Sequence, residues 1–193
     1  MSHFAGGKTA PLTAFVILLL ALYACSAPGR GVVISDLRQN PGAGRVIDNV
    51  PFFPQSDYMC GPAALASVMG YYGGNDGISD VARQVYQERL KGTLPIDLAI
   101  YAKERGFEVN YYSGGLDDLK EKLSAGVPLI LFLNLGFKSY PVGHYITALG
   151  YNDNLKVVLA HSGIVKEDVF TYKKLLDAWQ KTGFATLHLT PKK

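Results

Sequence analysis

Three apolar runs in the second half of the chain constrain its fold more than any other feature. VPLILFLNL, residues 127–135, carries no charge and suits a buried strand. GHYITALGYND and KVVLAHSG follow, both rich in β-forming residues and separated by NDNL, which reads as a hairpin turn. VKEDVF and FATLHLT add two more short strand patterns, with TYKKLLDAWQKTG between them as a helix. A sheet of this kind needs apolar cover, and the preceding sequence supplies helices. Ala64, Leu65, Val68, Met69 and Tyr72 recur at helical spacing. ISDVARQVYQERL is a second helix with Ser79 as its cap, PIDLAIYAKERG a third, and GLDDLKEKLSAG a short fourth after the strand FEVNYY. Helices first and antiparallel strands second give an α+β class rather than a doubly wound sheet.

The N-terminus reads differently. Residues 12–24, LTAFVILLLALYA, are uncharged, close in length to a signal-peptide core and short for a bilayer span. The run stops at LYAC, and Cys25 there resembles the lipidated cysteine of bacterial lipoproteins. The expected organisation is a signal at 1–24, a Gly/Pro-rich tether at 25–46 and a folded domain at 47–193, with VVI in the tether as a candidate edge strand. An ordinary secretory signal or a simple membrane anchor are the alternatives. The resemblance to lipoproteins, with Ala27 second after the cysteine, implies an outer-membrane protein facing the periplasm. Lys8 is the only charge before Cys25, so the formal net charge goes from +3 to +2. With no basic cluster, nucleic-acid binding is not expected.

If Cys25 carries lipid, Cys60 has no partner for a disulfide in a compartment that favours them. Cys60 stands just before the first helix, where unpaired N–H groups and the macrodipole stabilise a thiolate and pull a thiol pKa downward. The alternative is a small buried apolar residue. Gln55, five positions earlier, can donate to an oxyanion formed beside the thiol, or be a solvated loop residue. A nucleophilic cysteine needs a base. His3 is lost with the signal and His188 fits an edge of the last strand, which leaves His144 and His161. His144 opens a strand after Gly143.

QSDYMCGPAAL, followed 84 positions after Cys60 by the His144 of GHYITALGY, resembles the peptidase C39 family of double-glycine leader peptidases and their stand-alone relatives. The likeness runs from about Val50 to Gly163. It implies a papain-like fold with the cysteine at a helix N-terminus and the histidine on the sheet. It also implies a peptide or protein substrate, no cofactor, Cys60 as nucleophile, His144 as base and Gln55 as oxyanion donor. The C-G-[SA]-C-[WY] signature of papain itself is absent. C39 members usually carry an aspartate at the end of the strand after the histidine strand. Here His161 falls at that place, so His161 becomes the expected orienter of His144, with Asp153 and Asp168 as alternatives. No transporter segment follows, the chain is expected to be monomeric, and a peptide-holding or cell-wall amidase role stays open beside peptidase chemistry.

Overall fold

The computed structural model describes residues 27–55, 58–137 and 139–192. Cys25 and the apolar run before it lie outside the described residues. Among the described residues seven strands form one sheet: β1 Gly44–Val46, β2 Phe107–Ser113, β3 Leu129–Asn134, β4 Gly143–Asn152, β5 Val157–Ser162, β6 Val165–Thr171 and β7 Ala185–Pro191. Their order is β2-β7-β3-β4-β5-β6, with β1 paired to the end of β4, and every pairing is antiparallel.

Among the described residues six α-helices cover both faces: α1 Arg30–Gln39, α2 Cys60–Tyr71, α3 Ile78–Val85, α4 Pro95–Glu104, α5 Leu116–Ser124 and α6 Tyr172–Trp179. On one face α2, α3 and α4 bury Leu65, Met69, Val81, Leu98 and Tyr101 against Ile130, Tyr145, Leu187 and Leu189. On the other, Val33, Leu119, Leu123, Leu175 and Trp179 close over Leu129, Leu131, Leu133 and Ile146. The double cover explains why β3 reads as an unbroken apolar run: successive side chains point to opposite faces, and both faces are dry.

Every residue of α2 from Gly61 to Met69 is buried, so its apolar positions continue all round the helix rather than forming one stripe. Gly61 and Gly70 allow this depth. A Cβ on Gly61 would lie 3.1 Å from the Thr93 Cβ, and one on Gly70 would lie 3.1 Å from the Pro51 ring.

Three local expectations change. The stretch expected to be a tether is folded: residues 30–39 are helical with Val33 fully buried, and Gly44–Val46 pairs with β4. Its VVI is helix, not an edge strand. Its Gly and Pro residues gave the impression of a linker, but they punctuate the two ends of α1. The cap of α3 is Gly77, whose N–H donates to Asp80 Oδ2 at 3.0 Å, leaving Ser79 inside the helix. His188 does not lie on an edge, because β7 runs between β2 and β3.

Candidate active site

Cys60 is the first residue of α2. Among the described residues no side chain caps this helix. Pro62 costs nothing there, since its missing N–H would have had no partner. The backbone N–H groups of Cys60, Gly61 and Tyr145 all bear on the sulfur, favouring its charged form. Burial acts more strongly and pushes the Cys60 thiol above its ordinary value. The expectation of a depressed thiol pKa is therefore reversed: the helix terminus is present, but partial burial of the half-buried Cys60 outweighs it.

His144 is the second residue of β4, directly opposite Leu133 of β3. Its Nε2 lies 2.9 Å from Oγ of Ser162, the last residue of β5. Burial holds His144 below the ordinary histidine value. Thiol and imidazole thus share one cleft as neutral groups at rest. Next along β4, Tyr145 stacks on Phe132 with centroids 4.6 Å apart and donates its hydroxyl to Thr93 O at 3.0 Å. These contacts fix the strand that carries His144 relative to the loop before α4.

His161 does not orient His144. Its Nε2 donates to Val50 O at 3.1 Å and its Nδ1 accepts the Glu167 N–H at 3.2 Å, which occupies both ring nitrogens. It stacks obliquely on Phe52, with centroids 5.1 Å apart, and fastens the 50–55 segment to the sheet. The neighbouring Ser162 faces His144 instead. The sequence offered HSG as a unit, and a β-bulge between Ala160 and Ser162 shifts the register there, so strand alternation alone would not choose between His161 and Ser162. The two carboxylate alternatives are engaged elsewhere. Asp153 accepts from Lys120 and Tyr172 at the far end of the sheet, and Asp168 accepts its neighbour's Val169 N–H.

Gln55 lines the same cleft as Cys60 and His144, and its backbone N–H donates to Gly163 O at 3.3 Å. Ser67 holds the strap further back by donating to Pro51 O at 2.6 Å. The cleft itself has a volume of about 810 Å³ and is walled by Tyr58, Leu90, Leu94, Phe132, Val142 and Ile164. Five of these walls, Tyr58, Leu90, Leu94, Val142 and Ile164, are well exposed, giving a largely apolar trough, with Lys91 also on its wall, that leads to the half-buried Cys60. Chemically, the arrangement can deprotonate a thiol and hold a carbonyl beside helix N–H groups.

A family model described as the Peptidase_C39 like family matches residues 47–187. No curated protein sequence matches the chain. Among solved structures, it is similar to the peptidase domain of Streptococcus ComA, a bifunctional ABC transporter involved in quorum sensing. That match has 24% identity and a TM-score of 0.61, covering 75% of this chain and 100% of the other. A C39-like peptidase from Bacillus anthracis matches at 16% identity and TM-score 0.62, covering 78% and 98% of the two chains. A double glycine motif protease from an AMS/PCAT transporter, solved with its leader peptide, matches at 21% identity and TM-score 0.59, covering 77% and 96%. At these identities the solved structures bear on the fold, which is the mixed helix and antiparallel-sheet arrangement described above.

Proposed function

The chain belongs to the Peptidase_C39 like family, and from that membership and its Cys60–His144 cleft we propose that it is a cysteine peptidase held at a bacterial envelope membrane by lipid on Cys25 and facing the periplasm. The observation that carries this reading is the placement of Cys60 at a helix N-terminus in one cleft with His144, whose Nε2 is held by Ser162.

With Nε2–H donated to Ser162 Oγ, the base is Nδ1. As the sulfur attacks a peptide carbonyl, its proton passes to Nδ1 and the carbonyl π electrons move to oxygen. The N–H groups of the first turn of α2 and the Gln55 amide receive that oxyanion. Collapse breaks the C–N bond, the imidazolium protonates the departing amine, and a thioester remains on Cys60. Water then attacks the thioester with His144 again taking a proton, releasing the acid and regenerating the thiol. The apolar trough suits a peptide with aliphatic or aromatic side chains beside the scissile bond.

A second reading is favoured by the raised thiol and by the hydroxyl, rather than carboxylate, behind His144: the cleft holds a peptide without cleaving it. The deciding experiment is incubation of the purified protein and its Cys60→Ala variant with a fluorogenic peptide library. Cleavage by the parent that is lost in the variant supports the peptidase. Binding without cleavage by both supports the peptide-holding reading.

A further inference from the structure

The cleft, two apolar hairpin tips and the entry of the chain into the fold all lie at one end of the sheet. β3 runs up to the loop 135–142, β4 descends from it, β5 rises again and β6 descends from the Gly163–Ile164 turn, so both turns share the end that carries His144 and Ser162. The first tip presents Phe137 at 80% exposure and Tyr140 at 75%, and the second presents Ile164 at 76% with Val165 at 45%. Exposed large apolar side chains concentrated in this way mark an interaction surface rather than a solvated one. Bases flank both tips: Lys166 follows Val165 and is exposed, and Lys181 donates to Gly136 O at 2.9 Å.

The direction of α1 brings the N-terminal segment to the same end. Arg30 at its start pairs with Glu167, two residues below the second tip, while Asp36 near its finish accepts from Asn152 and Asn154 at the opposite end. The helix axis therefore points its first residue toward the tips. Only five steps separate Arg30 from Cys25, a reach of about 17 Å fully extended, and the uncharged run 12–24 comes directly before.

We propose that the occupant of the two tips is the surface of a phospholipid bilayer, into whose interface Phe137, Tyr140, Ile164 and Val165 settle with Lys166 and Lys181 at the headgroups. Aromatic and aliphatic side chains ringed by lysines suit that boundary. The cleft then opens toward the membrane, and its substrates are polypeptide segments lying on or emerging from the bilayer. This inference rests on the membrane attachment given above, and the experiment separates the two.

The full chain, purified from the membranes of expressing bacteria, is reconstituted into phosphatidylethanolamine–phosphatidylglycerol vesicles with and without brominated acyl chains. Single tryptophans are introduced as Phe137→Trp, Ile164→Trp and, at the far end, Asn154→Trp, against the constant background of the fully buried Trp179. Flotation reports attachment, and quenching reports depth. The expected result is protein floating with the vesicles, blue-shifted emission and at least twofold quenching by bromolipid at 137 and 164, and none beyond the parent at 154. Flotation with equal quenching at all three positions overturns the orientation while leaving the attachment. Failure to float overturns both.

Discussion

Nε2 of His144 and Oγ of Ser162 stand 2.9 Å apart, and this contact decides which imidazole nitrogen is free to serve Cys60. In the proposed mechanism Ser162 is a positioning residue: it engages Nε2, leaving Nδ1 as the nitrogen for Cys60 in the tautomer whose Nε2–H donates to Oγ. A neutral hydrogen bond of this kind is worth about 1 kcal/mol, or roughly five- to tenfold in rate. Ser162→Ala is expected to lower kcat by about that factor with KM little changed. Ser162→Asp places a carboxylate on Nε2 and raises the His144 pKa, moving the acid limb of the kcat/KM profile to higher pH. Steady-state kinetics across pH on the two variants checks this, because a purely structural role would not displace the limb.

The raised Cys60 thiol predicts slow alkylation at neutral pH. Burial disfavours the thiolate and also disfavours a charged His144, so no ion pair is stored at rest. Iodoacetamide should react with Cys60 faster as pH climbs past about 8.5, with no plateau between pH 5 and 7. Mass spectrometry of the peptide containing Cys60 gives the rate at each pH. A plateau reaching down to pH 5 would mean that the helix terminus outweighs burial.

His161 ties the 50–55 strap to β5 and β6, so its loss should be felt in stability more than in chemistry. His161→Ala removes the partners of Val50 O and Glu167 N–H together. Leaving such groups unsatisfied costs about 1–3 kcal/mol, and each kcal/mol shifts Tm by about 2–4 °C in a domain of this size. Thermal unfolding is expected to fall accordingly, while the acid limb of the pH profile stays where it is in the parent. Displacement of that limb would restore His161 as the orienter.

Three histidines predict acid sensitivity. Burial lowers the pKa of His144, His161 and His188, and at His161 this outweighs the opposing pull of its bond to Val50 O. A group whose folded pKa lies below its unfolded value binds its proton first in the unfolded chain, so stability is complete above about pH 6.5 and falls below it. Cys60 has the opposite sign of shift, and its contribution is lost as pH rises beyond the ordinary thiol value. Urea midpoints should therefore be highest from about pH 7 to 8.5 and drop on acidification toward pH 5, and the His188→Gln variant should flatten part of that drop.

The sheet was legible because its strands are written in apolar runs bounded by turns, as in residues 127–135, 143–152 and 157–162, and each of these became a strand. Cys60 and His144 were legible because a thiol before a helix and an imidazole after Gly143 each stand at an element boundary. Ser162 was not. A serine directly before a turn carries no local signal, and its place facing His144 comes with a bulge between β5 and β6 that only the paired strands reveal. The folded state of residues 30–46 was hidden for a related reason. Val33 and the β1 pairing with β4 draw on partners more than 100 residues away, which composition cannot register. The sign of the Cys60 shift depended on burial depth, a tertiary quantity.

The claim at the centre of this account is that Cys60 attacks a peptide carbonyl with His144 as its base. The most direct measurement is intact-mass and peptide-mapping analysis after incubation with a pool of peptidyl acyloxymethyl ketones, which alkylate a cysteine only when it is held and activated in a peptide-binding cleft. One adduct is expected, on Cys60, that is lost in Cys60→Ala and in denatured protein and slowed at least a hundredfold in His144→Ala. An unmodified Cys60 in the folded parent, or labelling that proceeds equally fast without His144, would contradict it.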